Sequence, residues 1–342
     1  MNRQAVGMQI GATTSPAELR AVVAEADQLG YGEIWLAEDY FDLGGIASAA
    51  TALAATDQIP IGLGVVAAAA RHPAATAMEF ATLGGVYPGR FMAGIGHGAP
   101  GWVRQMGLEP VSPLGLLREA TSAVRDLLEG AELTRHGDYF QFDRVHLSHP
   151  PDAPIPLYLG VHGPASLRLS GELADGTLLG WFSSPAYVAW ARKRIDEGRA
   201  RAGREDVHEL VTLCLLSISD EDPDTARRDI GEWAGPMLAA MTESPQLKAS
   251  PRRNDLLTLI EGQQQGSAGE ALPADLLEEF VAAGDTASCS TTVGRLLEAG
   301  ADRVVLVPNP AGFRSTSTMV EQMRAAGSLT GGRSVRQPST GS

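Results

Sequence analysis

Short apolar runs alternate with longer amphipathic stretches along most of this chain, so the hydrophobic period switches between two and about 3.6. Residues 6–10 read as a first strand. Ser15-Pro16 supplies a cap and a first-turn proline, predicting a helix that runs to Leu29 and closes at Gly30. The same grammar repeats as strand 33–37 with helix 46–55, and strand 61–66 with a helix from Pro73 to Val86. Strand 90–95 and helix 114–129 follow. Residues 134–147 alternate around His136-Gly137-Asp138 and predict a β-hairpin, with His146 and His149 on its surface. Strand 155–159 with helix 164–173 and strand 176–179 with helix 185–202 resume the alternation. Strand 210–218 leads through Asp220-Glu221-Asp222-Pro223 into an expected helical insertion over 235–285. Helix 290–299 and strand 303–307 complete the pattern.

Eight strands alternating with helices imply a parallel sheet. The fold class is α/β, and a closed (β/α)8 TIM barrel with insertions after strands four and seven is the economical form. An open doubly wound sheet is the alternative. Residues 1–327 then form one domain, and 328–342, rich in Gly, Ser, Arg and Pro, form a tail expected to be disordered.

The run Ile61-Gly62-Leu63-Gly64-Val65-Val66-Ala67 stands out within this frame. Glycine inside an apolar strand marks a bulge or a close backbone approach, and Gly62 and Gly64 share one face. Packing inside a barrel would also ask for small residues there. Chemistry in such barrels gathers at the C-terminal strand ends. Those ends read Glu38-Asp39-Tyr40, Gly64-Val65, Gly96-His97-Gly98, Val161-His162-Gly163 and Gly180-Trp181.

Composition narrows the partners. The formal net charge of −14 over 342 residues gives no basic track for nucleic acid. No apolar run reaches membrane-spanning length, and the first residues lack a signal-peptide pattern. Two cysteines, Cys214 and Cys289, suit a reducing cytoplasm. A small-molecule substrate is the expectation.

Three chemistries compete for the strand ends. Gly94-Ile95-Gly96-His97-Gly98-Ala99 fits the loose dinucleotide pattern, but Pro100-Gly101 interrupts the helix that a nicotinamide site needs, and the next acid is badly placed. His72, His97 and His162 follow successive strands and could serve a metal-dependent barrel hydrolase, although the first strand lacks a His-x-His pair. Asp39 beside Tyr40 could bind a ligand or move a proton, or cap the next helix. No Gly-x-Ser-x-Gly elbow supports a serine hydrolase.

The stretches Gly30-Tyr31-Gly32-Glu33-Ile34-Trp35, Ile61 to Pro73, Gly89-Arg90-Phe91 with Gly94-Ile95-Gly96, Ile155-Pro156-Leu157-Tyr158-Leu159-Gly160, and Leu173-Ala174-Asp175-Gly176 recur here in one order. Together they resemble the luciferase-like monooxygenase superfamily. The similarity is greatest to its coenzyme F420-dependent branch, which includes methylenetetrahydromethanopterin reductases and F420-dependent glucose-6-phosphate dehydrogenases. The resemblance implies a non-proline cis bond at Gly64-Val65 forming a bulge behind a deazaflavin ring. It also implies cofactor contacts from Asp39, Gly64, Val65, Gly96, Gly98, Val161, His162 and Gly163, with a phosphorylated tail at the helix that starts at Pro164. Tyr40 and His97 become candidate catalytic groups, and Trp102 and Trp181 candidate substrate contacts. Related chains commonly have Asp-His where this one has Asp39-Tyr40. The sugar-phosphate dehydrogenases carry a glutamate where this one has Ala99, which argues against their substrate. The implied activity is hydride transfer between the deazaflavin C5 and a small organic molecule with a C=C, C=N or carbonyl group. The alternatives are an FMNH2-dependent monooxygenase and a ligand-binding barrel without turnover. A homodimer is implied as well, the Ala-rich second helix permitting close packing.

Overall fold

A computed structural model of the chain describes residues 5–11, 14–264, 272–309 and 316–330. Its strands are β1 (Val6–Ile10), β2 (Ile34–Leu36), β3 (Ile61–Leu63), β4 (Val66–Ala67), β5 (Phe91–Gly96) and the hairpin pair β6 (Leu133–His136) and β7 (Gln141–Val145). They continue with β8 (Leu157–Gly160), β9 (Gly176–Leu179), β10 (Glu209–Ile218), β11 (Ala282–Gly284) and β12 (Arg303–Pro308). Parallel pairing runs β1-β2-β3-β5-β8-β9-β10-β12 and returns from β12 to β1, closing an eight-stranded barrel. The antiparallel pair β6-β7 is the expected excursion.

Alternation sorts each strand between two cores. Outward residues such as Met8, Ile34, Leu36, Ile61, Ala93, Leu159 and Leu306 are buried under the surrounding helices. Inward residues Trp35, Met92, Tyr158, Leu178, Val211, Leu213, Val305 and Val307 fill the barrel, and their cluster extends to the segments after β10. A Cβ at Gly62 would lie 2.4 Å from the Trp35 ring, so glycine there makes room for the indole.

Several boundaries depart from expectation. Ser15-Pro16 opens a turn, and the first helix starts only at Leu19, because the Ser15 carbonyl accepts from the N–H groups of both Glu18 and Leu19. The third strand breaks at Gly64-Val65 into β3 and β4. Pro100 begins a short helix, Pro100–Gln105, rather than interrupting one. The insertion after β10 is not wholly helical. After Pro223–Ala240, Pro245–Ala249, Arg253–Gln264 and Ala274–Leu277 it returns as β11, which extends the sheet beside the end of β10. The last long helix before β12 begins at Thr286, capped by Asp285, whose carboxylate accepts from Ser288 N at 2.7 Å. Gly327–Thr330 forms a 3-10 turn, and the expectations for 265–271 and 331–342 lie outside the described residues. Among the described residues no helix is long and apolar enough to cross a membrane.

Candidate active site

The two ends of the barrel are filled differently. At the N-terminal end Arg303 of β12 donates to Glu33, and to Glu209 at 2.5 Å; Tyr158 donates to Glu209, and the Trp35 indole N–H donates to Glu33 at 2.8 Å. Glu33 is fully buried, and that burial raises its pKa against the opposing pull of Arg303. The network plugs the barrel floor, and nothing in the sequence reading foresaw it. A cleft of about 420 Å³ lies outside this floor, bounded by Arg125, Pro150, Ile155, Leu157 and Asp175. It is on the wrong face for barrel chemistry.

The C-terminal end is hollowed by glycines. The Gly64-Val65 bond is cis, and Val65 is partly exposed at the mouth. The Val65 side chain rests on glycines from two neighbouring strands. A Cβ would meet a Val65 methyl at 2.9 Å from Gly94, 2.5 Å from Gly96 and 2.8 Å from Gly160. No larger residue fits at those three positions while Val65 keeps its place. Gly64 itself packs between Trp35 and Leu178, whose side chains lie 3.0 and 2.6 Å from its missing Cβ. The outcome is an apolar platform facing the mouth.

Around it stand the other candidates. Glu38 accepts both guanidinium nitrogens of Arg71, at 2.7 and 2.9 Å, and the Gly45 N–H at 2.9 Å. It therefore anchors the loop that presents Asp39 and Tyr40. Burial, then Asp42 and Glu38, raise the Asp39 pKa above the usual carboxylate value. Burial, then Glu38, pushes the Tyr40 phenol up to about 12. The Tyr40 hydroxyl is buried with no protein partner, and its ring meets Trp102 edge-on at 6.2 Å.

His97 Nε2 lies 3.0 Å from Ser166 Oγ, in the first turn of the helix Pro164–Leu173, while Nδ1 is buried without a partner. Burial and the nearby His162 lower its pKa, so His97 is neutral at pH 7. His97 and Gly98 line a cavity of about 70 Å³ with Pro100, Val103 and Pro113. His162 reaches solvent at the rim, and crowding on its protein side lowers its pKa as well. Tyr187 donates to the His162 carbonyl at 2.8 Å, fixing that loop, and Gly163 caps the helix after it. Trp181 packs on Trp233 at 5.5 Å.

The Val161 side chain is buried in the outer core, which leaves its backbone at the mouth. One expectation needs correction: His72 does not join His97 and His162. Its Nδ1 accepts from Ala74 N at 3.2 Å, capping the helix Pro73–Val86, and its ring packs near Phe140 and Phe142. Among the described residues no group of three or more His, Cys, Asp or Glu could hold a metal ion, which removes the hydrolase built on that triad.

Residues 2–303 match the family model of the luciferase-like monooxygenases. The chain belongs to that family. It is an enzyme of the family, and its relatives include F420-dependent oxidoreductases. It is 30% identical over 248 residues to the F420-dependent glucose-6-phosphate dehydrogenase of Nakamurella multipartita, covering 68% of this chain and 71% of that one. It is 27% identical over 331 residues to the 5,10-methylenetetrahydromethanopterin reductase of Methanopyrus kandleri, covering 90% and 93%. In fold it matches an F420-dependent secondary alcohol dehydrogenase in complex with an F420-acetone adduct, with a TM-score of 0.77 at 22% identity over 96% and 98% of the two chains.

Proposed function

We propose that this enzyme is a coenzyme F420-dependent oxidoreductase that transfers a hydride between the deazaflavin and a small organic substrate. The observation that carries the reading is the Val65 platform, seated on Gly94, Gly96 and Gly160 and open to the mouth. An apolar surface at the mouth, with His97 Nδ1 buried and without a partner on the loop after β5, suits a planar heteroaromatic ring that has a polar edge. The F420-dependent activity named for the relatives supports a deazaflavin as that ring.

When bound, F420 supplies or accepts the hydride. The chain does the rest. Gly64 and Val65 would back one face of the ring and leave the other face to the substrate. Asp39, Gly96, Gly98, the Val161 backbone, His162 and Gly163 surround the cofactor. Free N–H groups at the start of the helix Pro164–Leu173 suit an anionic tail. Tyr40, on the loop after β2, holds a proton at Oη, and its raised pKa keeps it there until a developing oxyanion claims it. His97, neutral and tied to Ser166, offers a second polar edge. Trp102 flanks Tyr40 on the substrate side.

Parallel fluorescence titrations of the purified protein with F420 and FMN test the reading. F420 binds more tightly than FMN if it is right. Preference for FMN, the cofactor of an FMNH2-dependent monooxygenase, or binding of neither overturns it.

A further inference from the structure

The loop that presents Asp39 and Tyr40 is strained. The Asp42 N–H donates to the Asp39 carbonyl at 3.2 Å, closing a turn whose third residue is Phe41. Phe41 has a φ of 76°, in the left-handed region where glycine is usual at that place in a turn. Its side chain is exposed, so its own packing does not hold it there. A bulky residue keeps such a backbone only where the surroundings over-determine it.

What closes the loop is Glu38. Its carboxylate accepts the Gly45 N–H at 2.9 Å, so the residues between 38 and 45 are cinched at their base. Gly45 opens the helix Gly45–Ala55. A Cβ there would lie 2.8 Å from Glu38 Cβ and 2.6 Å from Leu63 Cδ1, so glycine lets the helix start approach both. Arg71, in the loop between β4 and the helix Pro73–Val86, donates to both oxygens of the same carboxylate. The Glu38 side chain is 3% exposed.

The same clasp brackets the platform. Leu36, two residues before Glu38, accepts the Gly64 N–H at 2.9 Å. Leu63, against Gly45, immediately precedes Gly64. Arg71 follows the turn that Ala70 N–H closes on the Ala67 carbonyl, beyond Val65. One carboxylate thus ties the Asp39 loop to the chain on both sides of Gly64-Val65. A buried ion pair adds little net stability, because desolvation offsets its attraction, whereas a two-pronged guanidinium contact fixes geometry closely.

Resting on the F420 reading, we propose that Glu38, clamped by Arg71, is a positioning residue of the cofactor site, setting Asp39 against a ring seated on Val65. Enclosed by Arg71 and Gly45, Glu38 acts through Asp39 rather than on the ring. It acts by charge as well as by place. Burial raises the Asp39 carboxyl above its ordinary value, and the charges of Asp42 and Glu38 raise it further. Glu38 and Arg71 also face Tyr40, and Arg71 faces Glu79 of the helix Pro73–Val86.

The test is a double-mutant cycle between Glu38 and Asp39, read as the calorimetric Kd of F420 for the full chain at pH 7. Glu38→Ala removes the clasp and raises the Kd about tenfold or more, but less than about twofold when Asp39→Ala is already present. Glu38→Gln keeps an oxygen for the Gly45 N–H and loses the charge. Combined with Arg71→Met, which leaves no lone buried charge, it holds the Kd within about threefold of the unaltered protein. In the protein without cofactor, carboxyl 13C NMR shows the Asp39 titration midpoint falling in Glu38→Gln. Melting curves check folding, and where Glu38→Ala does not fold, Glu38→Gln takes its place in the cycle. Equal losses of affinity with and without Asp39 overturn the inference, since Glu38 then serves as scaffold alone. So does an Asp39 midpoint that Glu38→Gln leaves in place. Failure of F420 to bind the unaltered protein overturns the reading beneath, and this inference falls with it.

Discussion

Gly160→Ala tests the seat of the platform directly. The new Cβ would stand 2.8 Å from Val65 Cγ1, 3.1 Å from Cγ2 and 3.5 Å from Cβ, and no other group is among its nearest contacts. Carbon atoms rest at about 3.5–4.0 Å, so Val65 must retreat by roughly 0.7 Å toward the mouth. Overpacking of this kind costs about 1–3 kcal/mol. Where that cost falls on the cofactor-bound state, the Kd for F420 rises about 5- to 150-fold. Val65→Ala removes both offending methyls and leaves only the ordinary 3.5 Å contact. The single Val65→Ala variant weakens binding by losing platform area, but adding Gly160→Ala to it should cost less than about twofold more. The four proteins form a cycle with a coupling energy of about 1–3 kcal/mol, read by F420 fluorescence titration with melting curves as the check on folding. Two results would refute the reasoning: wild-type affinity in a folded Gly160→Ala protein, or equal losses in the two backgrounds.

Tyr40→Phe keeps the ring against Trp102 and removes the proton. It should lower kcat about 10²- to 10⁴-fold with little change in F420 affinity, and a loss confined to KM would reassign Tyr40 to binding. The buried His208 predicts an acid limb in stability. Burial, chiefly, lowers its pKa from 6.5 to about 4, and its two nitrogens lie 2.8 Å from Thr177 Oγ1 and 3.2 Å from the Ala174 carbonyl. Between those values the unfolded chain binds more protons than the folded one. The stability it contributes is therefore full above about pH 6.5 and lost as the pH falls toward 4, by about 3 kcal/mol. Urea midpoints at pH 7 and pH 4.5 should differ more for the native protein than for His208→Gln, and equal differences would exclude the role.

The fold was legible where local chemistry punctuates it. The helices Pro164–Leu173 and Pro185–Ala202 and the strand Gly176–Leu179 have the bounds that their caps and glycines predict. Legibility failed where a signal was ambiguous or distant. Ser15-Pro16 is as good a turn as a helix start. Ala282–Gly284 is three small residues long and becomes a strand only because β10 lies beside it. Trp233, Met237 and Met241 straddle the expected start of the insertion at 235, since their helix already begins at Pro223, so their common face went unseen. His72 follows its strand as His97 and His162 follow theirs. The capping of the next helix, a contact two residues away, decides its role.

The site depends on an asymmetry in how the barrel is filled, and the sequence carried only half of it. Glycines at 62, 64, 94, 96 and 160 were visible as departures from apolar strands. What they make room for was not, since Trp35 and Val65 enter from other strands. The ion network of Glu33, Glu209 and Arg303 joins residues up to 270 positions apart, and periodicity says nothing about such pairings. Large rings and fixed charges close the floor, while the glycines leave the opposite end free of inward side chains. A barrel interior packed evenly from end to end would hold no ligand. One stoppered at its N-terminal end and hollowed at the other, with a single valine raised into the opening, can receive a flat ring in one orientation. For the hydride transfer proposed above, facial selectivity would follow from the packing of Val65 on three glycines, before any polar group is considered.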